Sequence, residues 1–318
     1  MPDQNTPRFV GIDVAKDHLD VYVSLSDESL RVTNDESGFA EVIKMLTSFE
    51  IKRIVLEATG KFEAPAAATL SAAGFPVAIV NPRQVREFAR ANGQLAKTDR
   101  LDARILAGFA EHIRTETRPI KNEQTLQWED LLARRRQLVG MIAAEKNRLK
   151  RAGPKTVKDV RAHITWMEKR LTRVDDDLQV AIEKSPLWRE RDALFQSVPG
   201  AGPVLSMTLL LNLPELGSIS KRAVAKLVGV APLNCDSGTL RGRRVTWGGR
   251  ANVRRALYMA TIACLRWNIL IKEHYARLRA AGKPAKVAIV ACMRKLLIIL
   301  NAIARSGQSW NPRPVKTS

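Results

Sequence analysis

Four acidic residues, Asp13, Glu57, Asp99 and Asp102, are placed where a metal site for phosphoryl transfer could form. Asp13 closes a short apolar run in Gly-Ile-Asp-Val-Ala-Lys (11–16), and Glu57 closes another in Leu-Glu-Ala-Thr-Gly (56–60). Asp99 and Asp102 lie in Lys-Thr-Asp-Arg-Leu-Asp-Ala-Arg (97–104), on a helical pattern. Helix positions three apart share a face, with Cβ atoms roughly 5–6 Å apart. If the two apolar runs are neighbouring strands, their C-terminal ends bring Asp13 and Glu57 together, and the helix sets Asp99 and Asp102 opposite them. Four carboxylates that close repel one another unless cations sit between them. Mg2+ suits such a site because it takes hard oxygen ligands and keeps positions open for phosphate oxygens; Mn2+ is an alternative occupant. Two ions about 3.5–4 Å apart would stabilise both the attacking and the leaving oxygen of a phosphodiester. Taken singly, the acids say little. Asp99 reads as a helix cap, Asp102 as a surface acid paired with Arg104, and Glu57 as a loop charge. Asp17 and Asp20 are near Asp13 but follow no buried run.

The opposite charge gathers later in the chain. The formal net charge is +20 over 318 residues, yet residues 221–318 hold 20 Lys+Arg against two acids, Asp236 and Glu273. The first 220 residues are close to balance. A basic third beside a neutral remainder is the asymmetry of a module that grips nucleic-acid phosphates. Arg241, Arg243, Arg244, Arg250, Arg254 and Arg255 are its phosphate-binding candidates; a merely solvated basic face is the plainer reading. Trp247, beside Gly248-Gly249-Arg250, is a candidate for base stacking. The remaining tryptophans read mostly as core or seam residues.

The elements that must position these groups follow from periodicity. Strand-like runs at 9–13, 19–25 and 30–33 precede alternating helical and strand patterns up to Ile113, which predicts a mixed α/β domain over 1–120. From Val157 the apolar positions Val157, Val160, Ile164, Met167, Leu171, Val174, Leu178 and Ala181 step by three and four, a heptad seam. An earlier stretch from Trp128 to Leu149 has similar phase, with Arg135 and Glu145 as breaks. Gly153 and Pro154 separate the two, so an antiparallel coiled-coil hairpin is expected over 121–185. It folds on itself alone or also packs against another subunit. Residues 186–318 read as mainly helical. There, Val-Pro-Gly-Ala-Gly-Pro (198–203) suggests a helix-hairpin-helix-like turn in which Gly200 and Gly202 let the backbone approach a phosphate. A tight turn with no ligand reads the same way.

Three widely spaced cysteines form neither a disulfide framework nor a zinc motif. The polar N-terminus carries no signal core, and the apolar run 287–304 is broken by Arg294 and Lys295, so it reads as a buried helix and not a membrane span. A cytoplasmic, membrane-free protein is expected.

Taken together, Gly-Ile-Asp-Val-Ala-Lys, Leu-Glu-Ala-Thr-Gly, Asn-Pro (81–82) and Lys-Thr-Asp-Arg-Leu-Asp-Ala-Arg resemble the DEDD transposases of bacterial insertion sequences, a family that includes the pilin-gene invertase. The likeness continues through Val-Pro-Gly-Ala-Gly-Pro, Leu-Val-Gly-Val-Ala-Pro (227–232), Ser-Gly-Thr-Leu-Arg-Gly-Arg-Arg (237–244) and Arg-Arg-Ala-Leu-Tyr-Met-Ala (254–260). It implies an RNase H-like fold similar to the RuvC resolvase for the first domain, with Asp13, Glu57, Asp99 and Asp102 as the metal-binding quartet. It also implies that Ser237 is a nucleophile forming a covalent phosphoserine. The residues before it, Asn234-Cys235-Asp236, lack the aromatic found there in some members. Further implied are donor and target DNA as substrates, a structured bridge RNA as guide, and a tetramer whose active site combines two subunits. A serine hydroxyl needs activation by a base or a metal, and no histidine is local to Ser237. The alternatives are a RuvC-like Mg2+-dependent nuclease or junction resolvase that uses water, and a non-catalytic nucleic-acid-binding protein.

Overall fold

A computed structural model describes residues 6–94, 99–113, 123–234, 236–237, 240–242 and 244–312, with the side chains of 99–101, 123, 236–237 and 240–241 outside that description. The chain divides into two compact units, Met1–Asn122 and Glu123–Ser318.

The first unit is a mixed five-stranded sheet covered on both faces. Its elements run β1 (Arg8–Val14), β2 (His18–Val23), β3 (Glu28–Thr33), α1 (Glu36–Leu46), β4 (Ile51–Glu57), α2 (Glu63–Ala72), β5 (Val77–Val80), α3 (Pro82–Ala91) and α4 (Asp99–His112). Strand order is β3-β2-β1-β4-β5. β1 pairs antiparallel with β2 and parallel with β4, which pairs parallel with β5. Successive side chains of a strand point to opposite faces. Val10, Ile12 and Val14 of β1 pack with Phe39, Val42, Leu46 and Leu70 of α1 and α2. Phe9 belongs to the other layer, with Val55, Val85, Leu106 and Phe109 under α3 and α4. Asp35 starts α1: its carboxylate accepts from the Gly38 N–H at 3.0 Å and from the hydroxyls of Thr33 and Ser37. Those bonds to the charged form, the Gly38 N–H first, hold its pKa at about 2.

The second unit is almost wholly helical. α5 (Glu123–Leu149) and α6 (Val157–Glu183) are joined by a turn that contains Gly153 and Pro154. Arg135 pairs with Asp175 at 2.6 Å and Lys146 with Glu168 at 2.7 Å, so one helix rises as the other descends. Val160, Ile164, Met167, Leu178 and Ala181 of the expected seam are buried, and Val157, Leu171 and Val174 half-buried. Both polar interruptions find partners: Arg135 in Asp175, and buried Glu145 in Arg148 and His163. α7 (Pro186–Gln196), α8 (Pro203–Asn212), α9 (Lys221–Val228), α10 (Ala251–Trp267), α11 (Ile269–Ala280) and α12 (Ala285–Ser306) share one core. α12 is long and apolar enough to cross a membrane, but half of its most apolar stretch is buried, and Cys292, Leu296, Leu297 and Leu300 lie in that core. Between α9 and α10, β6 (Asp236–Ser237) and β7 (Leu240–Arg241) form a two-stranded antiparallel ribbon. This ribbon was not among the expected elements of the mainly helical segment, because two-residue strands leave no readable alternation.

Most of the tryptophans other than Trp247 pack as expected, Trp310 against the helical core among them, and two do not. Trp128 and Trp188 do pack, ring against ring at 4.5 Å. Trp166 and Trp267, expected in core or seam, are 48% and 73% exposed. Trp166 precedes the buried Met167 by one position, and that single step turns it to the outer face of α6.

Candidate functional site

The parallel register between β1 and β4 sets the first two acids side by side. Ile12 is aligned with Leu56, so the next residues, Asp13 and Glu57, lie near the C-terminal ends of adjacent strands on the same face. That face is the one α4 covers, since Gly11 and Val55, two residues earlier on each strand, both abut that layer. Asp102 is half-buried on α4 and immediately precedes Ala103. Asp99 begins α4; its side chain is outside the described residues. Asp13, Glu57 and Asp102 all have interaction partners.

How closely α4 lies on the sheet is set by Gly11. A Cβ there would fall 2.0 Å from the Ala103 carbonyl oxygen and 2.4 Å from the Ala107 nitrogen. Only a glycine allows the helix backbone so near, two residues before Asp13 on the strand and one residue after Asp102 on the helix. Arg53 secures the other end of α4, donating from Nη1 to the carbonyls of Ala110 at 3.1 Å and Ile113 at 3.2 Å.

The loops that follow the two strand acids are also fixed. The Asn34 amide donates from Nδ2 to Ala15 O at 2.9 Å and to Phe62 O at 3.2 Å, joining the segment after Asp13 to the segment after Glu57. Buried Glu63 accepts from the backbone N–H groups of Thr59 at 2.9 Å and Lys61 at 3.0 Å. It thereby holds the turn in which Gly60 and Lys61 both have positive φ. Asp20 stands directly across from Asp13 in the antiparallel register, but Arg31 grips it bidentately at 2.7 Å and 2.7 Å. That pair occupies both carboxylate oxygens of Asp20. Arg104 lies over the Tyr22 ring at 5.6 Å. Gly11, Arg31, Asn34 and Glu63 were not legible as site residues; only Gly11 left a signal, as a glycine inside a strand pattern.

Among the described residues, no group of three or more His, Cys, Asp and Glu side chains is gathered to hold a metal ion. The donor chemistry still fits the expected ion. The strand ends and α4 offer carboxylate oxygens, the hard donors that Mg2+ or Mn2+ prefers.

The basic candidates of the second unit separate into two groups. Arg250 pairs bidentately with Glu215 at 2.5 Å and 2.6 Å and donates to Asn212 O at 2.8 Å. Arg254 donates to the carbonyls of Gly248 and Val228. Both direct their donors into the fold. Arg244 and Arg255 are exposed. Burial, and behind it the Arg255 charge, lowers the Arg136 pKa below the usual guanidinium range. Arg243 lies outside the described residues, as do the side chains of Arg241 and Ser237. The Ser237 backbone pairs with Leu240 in the ribbon, whose base is closed by a bridge from Leu233 to Val245. Gly200 has φ +91° and a would-be Cβ 2.7 Å from the Cys264 nitrogen, so it packs tightly against α10. Gly202 caps the N-terminus of α8, with open space where its side chain would be.

Comparisons with known proteins bear on both units, and the first match runs past the boundary between them into α5. Residues 10–152 match a transposase family model, DEDD_Tnp_IS110, and residues 192–276 match the model described as Transposase IS116/IS110/IS902 family. The pilin gene-inverting protein of Moraxella bovis is 25% identical over 315 residues, covering 96% of this chain and 98% of that protein. Its namesake from Moraxella lacunata matches with the same identity and coverage. An IS110 insertion-element protein of Streptomyces coelicolor is 25% identical over 159 residues, 49% of this chain and 38% of that protein. Two models of one family in chain order, with relatives aligned nearly end to end, make this chain a member of the IS110 family of DNA transposases and recombinases.

Proposed function

We propose that this chain is an insertion-sequence recombinase that cuts and exchanges DNA strands through a covalent phosphoserine, guided by a structured RNA. The observation that carries the reading is the alignment of Asp13 with Glu57 near the C-terminal ends of two parallel strands, beneath a helix that Gly11 lets approach. The sheet order and its two-sided helical cover support an RNase H-like first domain. The antiparallel α5–α6 pair supports a coiled-coil hairpin between that domain and the basic one.

Asp13, Glu57, Asp99 and Asp102 would hold Mg2+ or Mn2+, which supplies charge stabilisation to phosphate oxygens and acidifies a bound nucleophile. Asn34 and Glu63 keep the two strand-end loops in place, and Arg31 occupies both carboxylate oxygens of Asp20. Ser237, on its ribbon in the basic unit, is the proposed nucleophile. Its oxygen forms a bond to the scissile phosphorus as the strand oxygen leaves, and the serine proton passes to that leaving oxygen. One phosphoester replaces another, so rejoining needs no ATP. Arg244 and Arg255 are suited to bind flanking phosphates. Donor and target DNA, a guide RNA and a tetramer with a composite site complete the reading.

Reconstituted strand transfer tests it. Wild-type protein should give a protein–DNA adduct that survives denaturing electrophoresis, Ser237→Ala should give neither adduct nor transfer, and Asp13→Asn should abolish both. Full transfer by Ser237→Ala would overturn the serine mechanism and leave a metal-activated water as the nucleophile.

A further inference from the structure

The near-balance of charge in the first 220 residues conceals one strong local excess. Residues 145–163, at the turn of the helical hairpin, hold seven Lys+Arg against two acids, Glu145 and Asp159. The same segment lines a groove of about 940 Å3. Arg148, Lys150 and Arg151 form much of its wall, and all three are exposed. Glu145, only 8% exposed, pairs with Arg148 and stands 3.6 Å from His163. It therefore anchors Arg148 of the wall from beneath. Asp159, in the first turn of α6, is the acid that the wall cations outnumber.

The groove also receives the N-terminal end of α6, through Thr156 and Val160. Thr156 is the N-cap residue, yet its hydroxyl bonds to Gly153 O at 3.3 Å, and no side chain caps the helix. The positive end of a 27-residue helix thus adds to the lysines and arginines.

An independent observation lies one helical turn away. Trp166 is 48% exposed, its ring stacked near His163 at 6.2 Å and 28° and flanked by the Arg170 guanidinium at 5.7 Å. An open indole beside a guanidinium, next to a basic groove, is the combination that binds unpaired nucleotides: phosphates track the cations and a base stacks on the ring. Duplex bases are already stacked on one another and offer no free face.

We propose that the tip of the α5–α6 hairpin is a binding site for a single-stranded nucleic-acid segment, with phosphates on Arg148, Lys150 and Arg151 and a base on Trp166. The proposal rests on the chain acting on nucleic acid, but on neither the carboxylates nor Ser237. Its failure is therefore distinguishable from failure of the catalytic reading.

Fluorescence anisotropy on full-length protein tests it, using three probes of equal length: an oligoribonucleotide, an oligodeoxyribonucleotide and duplex DNA. Each variant is compared with wild type on the same probe, so phosphate contacts elsewhere cancel. Lys150→Gln/Arg151→Gln should lower the slope of log K against log salt on the single strands by about 1.4, from roughly 0.7 per lost phosphate contact. Arg173→Gln/Lys184→Gln, exposed on or just after α6 but outside the groove, should leave that slope unchanged. Trp166→Ala should weaken single-strand binding roughly tenfold or more and duplex binding little. A larger effect on the ribo-oligomer identifies a guide strand as the occupant, and a larger effect on the deoxyribo-oligomer an opened DNA strand. Equal slope losses for the groove and control pairs, or equal Trp166→Ala losses on duplex and single strands, would overturn the proposal.

Discussion

Gly11→Ala separates positioning from stability. The added Cβ falls 2.0 Å from Ala103 O, 2.4 Å from Ala107 N and 2.7 Å from Leu106 Cβ, all on α4. Two of the three are backbone atoms, so no rotamer change relieves the clash. Ordinary contact begins near 3.4 Å, and α4 must therefore retreat by about 1.4 Å. Overpacking of this kind costs roughly 1–3 kcal/mol, which a domain with roughly 5–15 kcal/mol of stability survives. The retreat is passed directly to Asp102, the neighbour of Ala103, and a misplacement of about 1 Å can cost on the order of 100-fold in rate. Strand-cleavage rate per folded molecule should fall by about that factor, while hydrogen exchange of β1 and β4 amides reports a still-folded sheet. Leu46→Ala is the control. It opens a cavity under α1 on the opposite face and costs about 2–5 kcal/mol, yet should leave the rate per folded molecule unchanged. If the two variants lose activity only in proportion to their unfolded fractions, the spacing role of Gly11 is refuted.

Asn34→Ala should cost about 1 kcal/mol for the lost bonds and reduce cleavage further; Asn34→Asp, which lacks the Nδ2 donor, should behave alike, and wild-type activity in Asn34→Asp would exclude the tether. Arg250→Gln should destabilise the second unit by about 2 kcal/mol, below the usual cost of breaking a buried pair because both partners are about a fifth exposed. The salt slope of DNA binding should not change; a slope reduced by about 1 would make Arg250 a phosphate contact after all. Asp35 has a folded-state pKa depressed to about 2, so its stabilising effect is complete above the ordinary carboxylate value and is lost as pH falls towards 2. Asp35→Ala should flatten the acid limb of the stability profile between about pH 4 and 2, and an unaltered limb in an acid titration would count against the cap.

The first unit was readable because its strands are short apolar runs set between helical patterns. The expected strands at 9–13 and 30–33 became Arg8–Val14 and Glu28–Thr33. Asp13 and Glu57 stood out in the sequence because each directly follows a run of buried residues. Their fixings did not, because a hydrogen bond from Asn34 to Ala15 and Phe62 depends on tertiary closure and leaves no local pattern. Arginines were misleading for a related reason. Counting charge treats Arg250 and Arg255 alike, whereas one faces Glu215 inside the fold and the other is exposed. Regional counting likewise averaged the hairpin tip into a neutral background.

The parallel pairing of β1 with β4 also governs when the protein becomes dangerous. These strands meet only after the 36 residues between Val14 and Ile51 have closed a loop. α4, the helix that faces them, begins only at Asp99. A nascent or truncated chain ending before that point has two acids on a sheet and no helix opposite, and Ser237 emerges only after the hairpin has been made. If the proposed chemistry needs both units, incomplete translation products cannot nick the genome that encodes them. The order of the chain then acts as a safety catch, released only by finishing synthesis.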